Sequence, residues 1–411
     1  MTRAALLMGY IMCVWFVISF VTNLIGPLMP VIISDFHLSL ALAGFLPFSF
    51  FLAYGLISIP AGALVEARGP RFTLLLAFAL NLAGCLAISL SPTYLIVIVG
   101  LFVIGLGMAM LQVVINPLMR STGGEPHFAF FSVMAQLVFG AASFVSPLVF
   151  AAVMKRPPTP ARPIVWVELY FGFVAVYLLL LLITSRIAIP QVTLAEDERP
   201  GTVVMYKSLI RERPVQLFFL GIIAYVGTEQ SLADWMSQFL ATYHHFSPTV
   251  EGARAVSLFW GLMSVGCLLG LVLLRLFDSK LVLGFAAVLA IGCVALALFG
   301  SAEVSLRAFS AAGFFLSVMW SIVFSLALNS VSRYHGAFSG ILCTGITGGA
   351  IVPFLVGVLG DHLGLRLAML TVFATLGYIL SISLWARPLI RNQTVRISEL
   401  LSVRRRRPAH G

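Results

Sequence analysis

Two carboxylates lie deep inside a long apolar segment of this chain, where an acidic side chain is costly. In the apolar run near residues 215–244, Glu229 lies near the middle and Asp234 a little further along, counting about 1.5 Å of rise per residue. An ionisable group at this depth must pair with another group or border a watery cavity, and it marks a functional site by default. We therefore expect Glu229 or Asp234 to bind or carry an ion.

The neighbours of these acids have a helical arrangement. On an unbroken helix at about 100° per residue, Gln230, Asp234 and Gln238 form one stripe, with Trp235 beside it. Glu229 points roughly 140° away from Asp234 on the same geometry. Either Glu229 serves a different environment, or the helix is interrupted nearby.

Polar side chains recur at similar depth in other apolar runs. Two of them, Gln112 and Asn116, are four residues apart and share a helical face, and we expect Pro117 to release the helix just after them. Taken singly, each polar residue is explained by hydrogen bonding between helices. Their recurrence in six runs favours a common site. The complete predicted substrate-binding set is Asn23, Gln112, Asn116, Gln136, Gln230, Asp234, Trp235, Gln238, Trp320, Thr344 and Thr347.

The chemistry of this set indicates the ligand. Amide groups both donate and accept hydrogen bonds, which matches sugar hydroxyls, and indole faces stack on the apolar C–H face of a pyranose. An anionic substrate calls for a buried cation, and the middles of these runs contain no Lys or Arg. We predict a neutral, polyhydroxylated ligand.

The composition identifies the elements that position these residues. Of 411 residues, 60% are hydrophobic and 10% are charged, and the mean hydropathy is +1.06. A soluble protein is usually near a quarter charged, so this chain is an integral membrane protein. The net charge of +10 does not indicate a nucleic-acid partner, because the basic residues are scattered in short loops and in the cluster Arg404–Arg407.

A ruler of about 20 apolar residues per membrane crossing predicts an all-α protein with twelve spans. The runs at 5–33 and 215–244 exceed this length, so they are tilted or broken. We predict four regions: a six-helix half at 1–187, a cytoplasmic linker at 188–214, a second six-helix half at 215–388 and a basic cytoplasmic tail at 389–411. The twelve runs are 5–33, 40–65, 72–90, 94–118, 127–152, 164–187, 215–244, 253–277, 280–300, 304–330, 335–359 and 363–388.

The distribution of basic residues orients the chain. Most of the 25 Lys and Arg residues lie on one side if both termini and the central stretch are cytoplasmic. We predict a monomeric, multi-pass plasma-membrane protein, in the inner membrane if the source is bacterial. Its predicted partners are a small-molecule sugar, H⁺ or Na⁺ and the lipid bilayer, with no cofactor, metal or nucleic acid.

Six spans, a polar linker and six more spans are typical of a duplicated transporter, whose substrate site lies between the halves near the midplane. A channel more often has a repeated pore loop, and none is evident. A membrane enzyme needs clustered nucleophiles, acids and bases or metal ligands. None of the histidines lies near the middle of a span, so we predict no enzyme activity and no catalytic residue.

The loop after the second run resembles a degenerate form of the major facilitator signature G-x-L-x-D-R-x-G-R-[RK]. Glu66 replaces the usual acid, and Ala67 stands where arginine is usual. A similar string at 357–366 falls on the external side in our orientation. The resemblance implies a gating or conformational role for Gly62, Glu66, Arg68, Gly69 and Arg71.

Four further strings resemble the fucose–galactose–glucose permease branch of that superfamily. They are residues 115–118 (INPL), 225–229 (YVGTE), 315–328 in the tenth run and 348–353 (GGAIVP). The resemblance implies a major facilitator fold with two pseudo-symmetric halves, and alternating-access transport of a hexose or deoxyhexose. Trp320 and Ser321 stand where Phe-Pro is common in the family, so we expect a reshaped cavity wall.

The family also supplies an expectation about coupling that this sequence does not meet. Proton-coupled members use acidic residues in the first and fourth spans, and the matching positions are Asn23 and Gln112. An amide carries no titrating proton. If transport is coupled to H⁺, Glu229 or Asp234 must carry the proton. Coupling to Na⁺ is an alternative, because a break in the helix around Gly227 would supply carbonyl ligands for that ion. The protein could also be a uniporter.

Two other functions remain open at this point. The aromatic content of 12% is compatible with an efflux carrier for amphipathic compounds, and lipophilic compounds should then stabilise the protein better than sugars. A non-transporting sugar sensor would bind sugar without exchanging it across the membrane.

Overall fold

The computed structural model describes residues 3–123, 128–158, 164–190, 203–331 and 335–389. Twelve helical segments within them are long and apolar enough to cross a membrane, and these residues include no β-strand. This confirms the all-α, twelve-span architecture. Most of the predicted basic tail, with Arg404–Arg407, and the central residues 191–202 lie outside the described part of the chain.

The N-terminal helices α1–α7 form the first six spans. The bounds are α1 Arg3–Thr22 and α2 Ile25–Phe36, which share the first span, then α3 Leu40–Arg68, α4 Pro70–Leu90, α5 Tyr94–Gly123, α6 Phe128–Met154 and α7 Val167–Arg186.

A short helix, α8 (Val203–Ile210), precedes the C-terminal helices α9–α17 that form the last six spans. Three spans are single helices: α9 Arg213–His244, α10 Ala253–Leu276, which follows a π-helical turn at Pro248–Gly252, and α11 Ser279–Phe299. Each of the last three spans consists of two helices. These are α12 Ala302–Leu316 with α13 Met319–Leu328, α14 His335–Thr344 with α15 Gly348–Leu363 on either side of a 3₁₀ turn, and α16 Leu365–Ala368 with α17 Thr371–Trp385.

The two unusually long runs behave differently. The first span is broken, because α1 ends at Thr22 and α2 begins at Ile25. The seventh span is one continuous helix of 32 residues, so the alternative of an interruption around Gly227 is wrong. A Cβ at Gly227 would lie 2.3 Å from Cγ2 of Val352 and 3.2 Å from the backbone oxygen of Gly348. The glycine serves the close approach of α9 and α15.

The expectation that Pro117 releases the helix is also wrong, since α5 continues to Gly123. Proline removes one backbone donor, but membrane helices tolerate it because neighbouring groups satisfy the freed carbonyl. Pro117 is buried among other residues of the bundle.

Within the described residues, the N-terminal and C-terminal helices meet along three main seams. We call the face where α3 begins and α15 ends the closed face, and the face where α1 begins the terminal face. The α3–α15 seam runs from Leu40 against Gly357, at the closed face, to Gly55 against Thr347. This is a length of about 22 Å at 1.5 Å per residue. The seam therefore covers the closed-face half of the bundle.

The other two seams lie beside it. In the α6–α10 seam, Oγ of Ser257 donates to the backbone oxygen of Phe144 at 2.7 Å, and Gly140 faces Ser264. In the α2–α9 seam, the backbone of Gly26 contacts the backbone of α9. All three seams have a glycine at the contact, where a side chain would separate the helices.

A charged group bridges the α3–α15 seam at the closed face. The carboxylate of Asp361, on α15, accepts hydrogen bonds from the backbone N–H groups of Leu40 at 2.7 Å and Ala41 at 2.9 Å. These donors belong to the first turn of α3, which has no intrahelical acceptor for them. Asp361 therefore caps a helix of the N-terminal set from the C-terminal set.

Candidate functional site

The stripe predicted on α9 is present, and most of it is buried against other helices. Gln230 and Asp234 are buried, and Cγ of Gln230 lies close to Gly349 of α15. Gln238 is partly exposed, and its amide donates to Oγ1 of Thr242 at 3.3 Å. The stripe faces the N-terminal helices and α15.

Trp235 lies beside the stripe but is fully buried. Its indole Nε1 donates to the backbone oxygen of Pro353 at 3.0 Å, and its ring lies against Gly357. In this conformation the indole packs α9 on α15. Its predicted role in stacking on a sugar stays a prediction that needs another conformation.

Glu229 occupies a separate environment, as the helical geometry predicted. The hydroxyl of Tyr225, one turn earlier on α9, donates to Oε1 of Glu229 at 3.0 Å. The ring of Tyr225 lies 6.0 Å from that of Trp320 on α13, which stacks on Phe324 at 5.7 Å. Glu229, Tyr225 and Trp320 thus place a carboxylate, a phenol and an indole together, a suitable lining for a sugar.

Asn23 lies at the break in the first span and joins it to α6. Its amide nitrogen donates to the backbone oxygen of Ser19 at 3.0 Å and to Oγ of Ser143 at 2.8 Å. Ser19 and Ser143 are themselves 2.7 Å apart. The amide oxygen of Asn23 is buried and accepts from no group in the described residues. The amide is therefore half satisfied by packing and retains one free acceptor.

Gln112 and Asn116 share a face of α5, as predicted. The amide of Gln112 donates to the hydroxyl of Tyr54 on α3 at 3.3 Å. Asn116 lies one turn nearer the terminal face and is exposed. These residues form a polar strip that runs from the centre of the bundle toward the terminal face.

Gln136 of α6 is also exposed. It lies seven residues before Ser143, so it shares the helical face that contacts α1, and four residues before Gly140, which contacts α10. Gln136 therefore lies on the face of α6 that turns toward α1 and α10 further along the helix. Asn116 and Gln136 are thus the two exposed members of the predicted set in the terminal-face half of the bundle.

Thr344 and Thr347 flank the 3₁₀ turn between α14 and α15. Their hydroxyls donate to backbone oxygens three residues earlier, Ile341 at 2.7 Å and Thr344 at 2.8 Å. The methyl group of Thr347 lies against Gly55. In this conformation both threonines satisfy the backbone at a bend and close the α3–α15 seam.

The connection between α3 and α4 is a tight turn at Gly69, at the terminal face. Gly69 has φ of 82°, a left-handed conformation that favours glycine. A guanidinium nitrogen of Arg71 donates to the backbone oxygen of Ser185 on α7, while the Arg68 guanidinium lies 5.6 Å from the Phe72 ring centroid. Glu66 and Gly62 lie on the last turns of α3, Glu66 exposed.

The second string of this kind adopts the same turn at the closed face. Gly364 has φ of 81°, and its N–H bonds the backbone oxygen four residues earlier, as that of Gly69 does. Asp361 stands three residues before this glycine, as Glu66 stands three before Gly69. The two strings therefore encode one structural unit, at opposite faces of the bundle.

Sequence reasoning did not select three polar groups that the structure places at the centre. Tyr54 contacts Gln112, Tyr225 contacts Glu229, and Ser143 contacts Asn23. Tyr225 could have been found, since a tyrosine four residues before a membrane-embedded glutamate lies on the same face. Tyr54 and Ser143 each lie among apolar neighbours in the sequence. Nothing in the local sequence indicates which distant residue each of them contacts.

The chain matches the description of one protein family over most of its length. The model of the Major Facilitator Superfamily matches residues 11–353. Among curated proteins, a glucose/galactose transporter of Brucella abortus is 29% identical over 388 residues, covering 89% of this chain and 90% of the relative. The L-fucose-proton symporter of Escherichia coli is 25% identical over 370 residues, covering 83% and 84%.

Solved structures share the fold. The transporter FucP in its outward conformation superposes with a TM-score of 0.67 at 20% identity, covering 94% of this chain and all of that one. A bacterial homologue of the human lysosomal transporter Spinster, inward-facing and unoccupied, gives a TM-score of 0.74 at 16% identity, covering 94% and 97%.

Proposed function

Because this chain belongs to the Major Facilitator Superfamily, we propose that it is a secondary transporter that moves a neutral hexose or deoxyhexose across the membrane. The observation that carries this proposal is the set of amides and aromatic hydroxyls at the centre of the bundle, with described Lys and Arg residues confined to positions near span ends. The names of the relatives, a glucose/galactose transporter and a fucose symporter, point to the same substrate class.

The sugar lies between the N-terminal and C-terminal helices. Gln112, Asn116 and Gln136 supply amides from one side, while Glu229 with Tyr225 and Trp320 supplies a carboxylate acceptor and an indole face from the other. Amides pair with hydroxyls as donor and acceptor together, which suits several neighbouring hydroxyls on one ring. The sugar enters and leaves this conformation at the terminal face.

Transport follows alternating access by two six-helix halves, 1–187 and 215–388, joined by the stretch 188–214. The seams at the closed face separate in the opposite conformation, and this rigid-body rocking exposes the same site to the other side. The protein works as a monomer with both termini in the cytoplasm, so that the terminal face is cytoplasmic. The basic loops support this orientation.

Transport is driven by an ion through Glu229 or Asp234. H⁺ is favoured over Na⁺, because α9 is continuous and releases no backbone carbonyls near Gly227 to ligate a sodium ion. A proton needs only one carboxylate oxygen. The symporter among the relatives supports coupling as a mechanism for this family.

Uptake of labelled hexoses by proteoliposomes tests this function. We expect saturable uptake of one or more sugars in a panel, measured with and without Na⁺ and at two pH values. Gln136→Ala should raise the KM for the sugar several-fold. Asn329→Ala removes an amide that bonds Ser325 at the end of α13 and should leave KM unchanged. Absence of saturable flux under every ion gradient would refute the proposal.

A further inference from the structure

Asp234 lies in the seam between α2 and α9. A Cβ at Gly26 of α2 would lie 2.4 Å from the backbone oxygen of Ala233 and 3.3 Å from Cα of Asp234. The two helices are therefore in backbone contact at this acid. One belongs to the N-terminal set and the other to the C-terminal set, so alternating access must separate them here.

The Asp234 side chain is buried, and one oxygen of its carboxyl is fully enclosed without a partner. The residue is 2% exposed, and its Oδ2 accepts from no donor in the described part of the chain. Oγ of Ser231, one turn earlier, and Oδ1 of Asn23 are likewise buried without partners there. An ionised carboxylate in such surroundings costs several kcal/mol, while a neutral carboxyl costs far less. The acid is stable in the closed seam only with a proton bound.

Among the residues that the structure describes, no charged group forms an ion pair or hydrogen bond with Asp234. Glu229 lies on another face of α9, and His244, whose Nε2 has no partner in the described residues, lies ten residues beyond Asp234, at the end of α9. Five titratable groups of the surrounding elements have partners of their own. These are Asp35 of α2, which accepts from Trp166; Tyr54 of α3, which accepts from Gln112; Glu251, which accepts from Ser247; Asp361 of α15, which caps α3; and Cys267 of α10, which donates to Ser317. Arg254 lies at the first turn of α10, at the closed-face end.

We propose that Asp234 is the proton site that links closure of the α2–α9 seam to transport. When the seam is open, the carboxylate is hydrated and takes one proton from the solution at that face, forming an O–H bond at a carboxylate oxygen. When the seam closes, the neutral carboxyl is enclosed between α2 and α9. The link to sugar movement rests on the proposed function; the link between protonation and closure does not.

The sign of the pH dependence follows directly. The closed seam holds one proton more than the open seam with ionised Asp234, so closure is favoured at low pH and lost as pH rises. One proton of difference gives a limiting change of about tenfold in the closed-to-open ratio per pH unit. In Asp234→Asn the side chain stays neutral, and this dependence should disappear.

Distance measurements across the closed face test the proposal without sugar. Ser91 follows α4 and Ser301 precedes α12. Both are exposed, and they lie on opposite sides of the seams. Spin labels at Ser91→Cys and Ser301→Cys, with the five native cysteines replaced, report the closed fraction by pulsed electron resonance. Asp278→Asn, a cap within the C-terminal set, is the matched control and should keep the full dependence. A dependence that persists in Asp234→Asn overturns the proposal.

A second measurement needs no variant at this position. Infrared spectra of the unsubstituted protein, with and without ¹³C-labelled aspartate, should contain a protonated aspartic carboxyl band at neutral pH. Its absence overturns the proposal even if Asp234→Asn does not fold.

If wild-type protein closes with this pH dependence but moves no sugar, the transport function fails and the proton site stands. If sugar accumulates in Asp234→Asn as it does in wild type, the coupling role fails alone.

Discussion

Removing the carboxylate of Asp361 should shift the protein away from the closed conformation. This group accepts from two backbone N–H groups of α3, at 2.7 and 2.9 Å, and joins residues 321 and 320 positions apart. Both bonds exist only while α3 and α15 are in contact. The substitution Asp361→Ala therefore weakens the closed conformation and leaves the open one with an α3 terminus that water can solvate.

The expected change in the closed-to-open ratio follows from the role of Asp361 as a helix cap. Loss of a helix cap costs about 1 kcal/mol, within a range of roughly 0.5–2 kcal/mol. Asp361 is exposed, so solvent screens the charge on the carboxylate and the attraction of the helix dipole adds little. A change of about 1 kcal/mol corresponds to a roughly fivefold fall in the closed-to-open ratio.

The spin-label pair at Ser91 and Ser301 measures that ratio. Asp278→Asn again serves as the control, because Asp278 caps α11 through the N–H of Lys280 at 2.8 Å without crossing a seam. Asp361→Asn keeps an acceptor oxygen and should fall between wild type and Asp361→Ala. A closed fraction that is the same in Asp361→Ala and in wild type would show that the bridge does not stabilise closure.

Three further outcomes follow from single contacts. Gly357→Ala places a Cβ 2.4 Å from the backbone oxygen of Leu40. It should therefore lower the closed fraction that the spin labels report. An unchanged closed fraction would argue against a tight α3–α15 seam. Tyr225→Phe removes the 3.0 Å hydrogen bond to Glu229. Loss of about 1 kcal/mol should weaken sugar binding roughly fivefold. Unchanged binding would show that Tyr225 and Glu229 do not belong to the sugar site. Gly69→Ala forces a side chain to adopt φ of 82°, which costs roughly 1–2 kcal/mol. The thermal unfolding temperature should therefore fall, and an unchanged temperature would contradict this reasoning.

Much of the fold could be predicted from the sequence, because membrane insertion is decided locally. Each span is a run of about 20 apolar residues, and the predicted runs agree with the helices to within a few residues at most ends. The separate environments of Glu229 and Asp234 also follow from sequence, since their angular separation depends only on helical rise and turn. The exceptions, at Gly227 and Pro117, are residues whose effect depends on neighbouring helices.

The details of the site were decided by contacts between distant parts of the chain. The sequence predicted that Asp234 shares a helical stripe with Gln230 and Gln238, yet only the tertiary structure packs it against Gly26, more than 200 residues away. Trp235 and Thr347 were equally plausible as ligand contacts, and the structure uses them to close a seam in this conformation. Hydropathy and helical period are sums over adjacent residues, so they determine which segments cross the membrane and which side chains share a face. Which helix covers that face depends on packing between segments, and in a transporter that packing has two solutions of similar free energy.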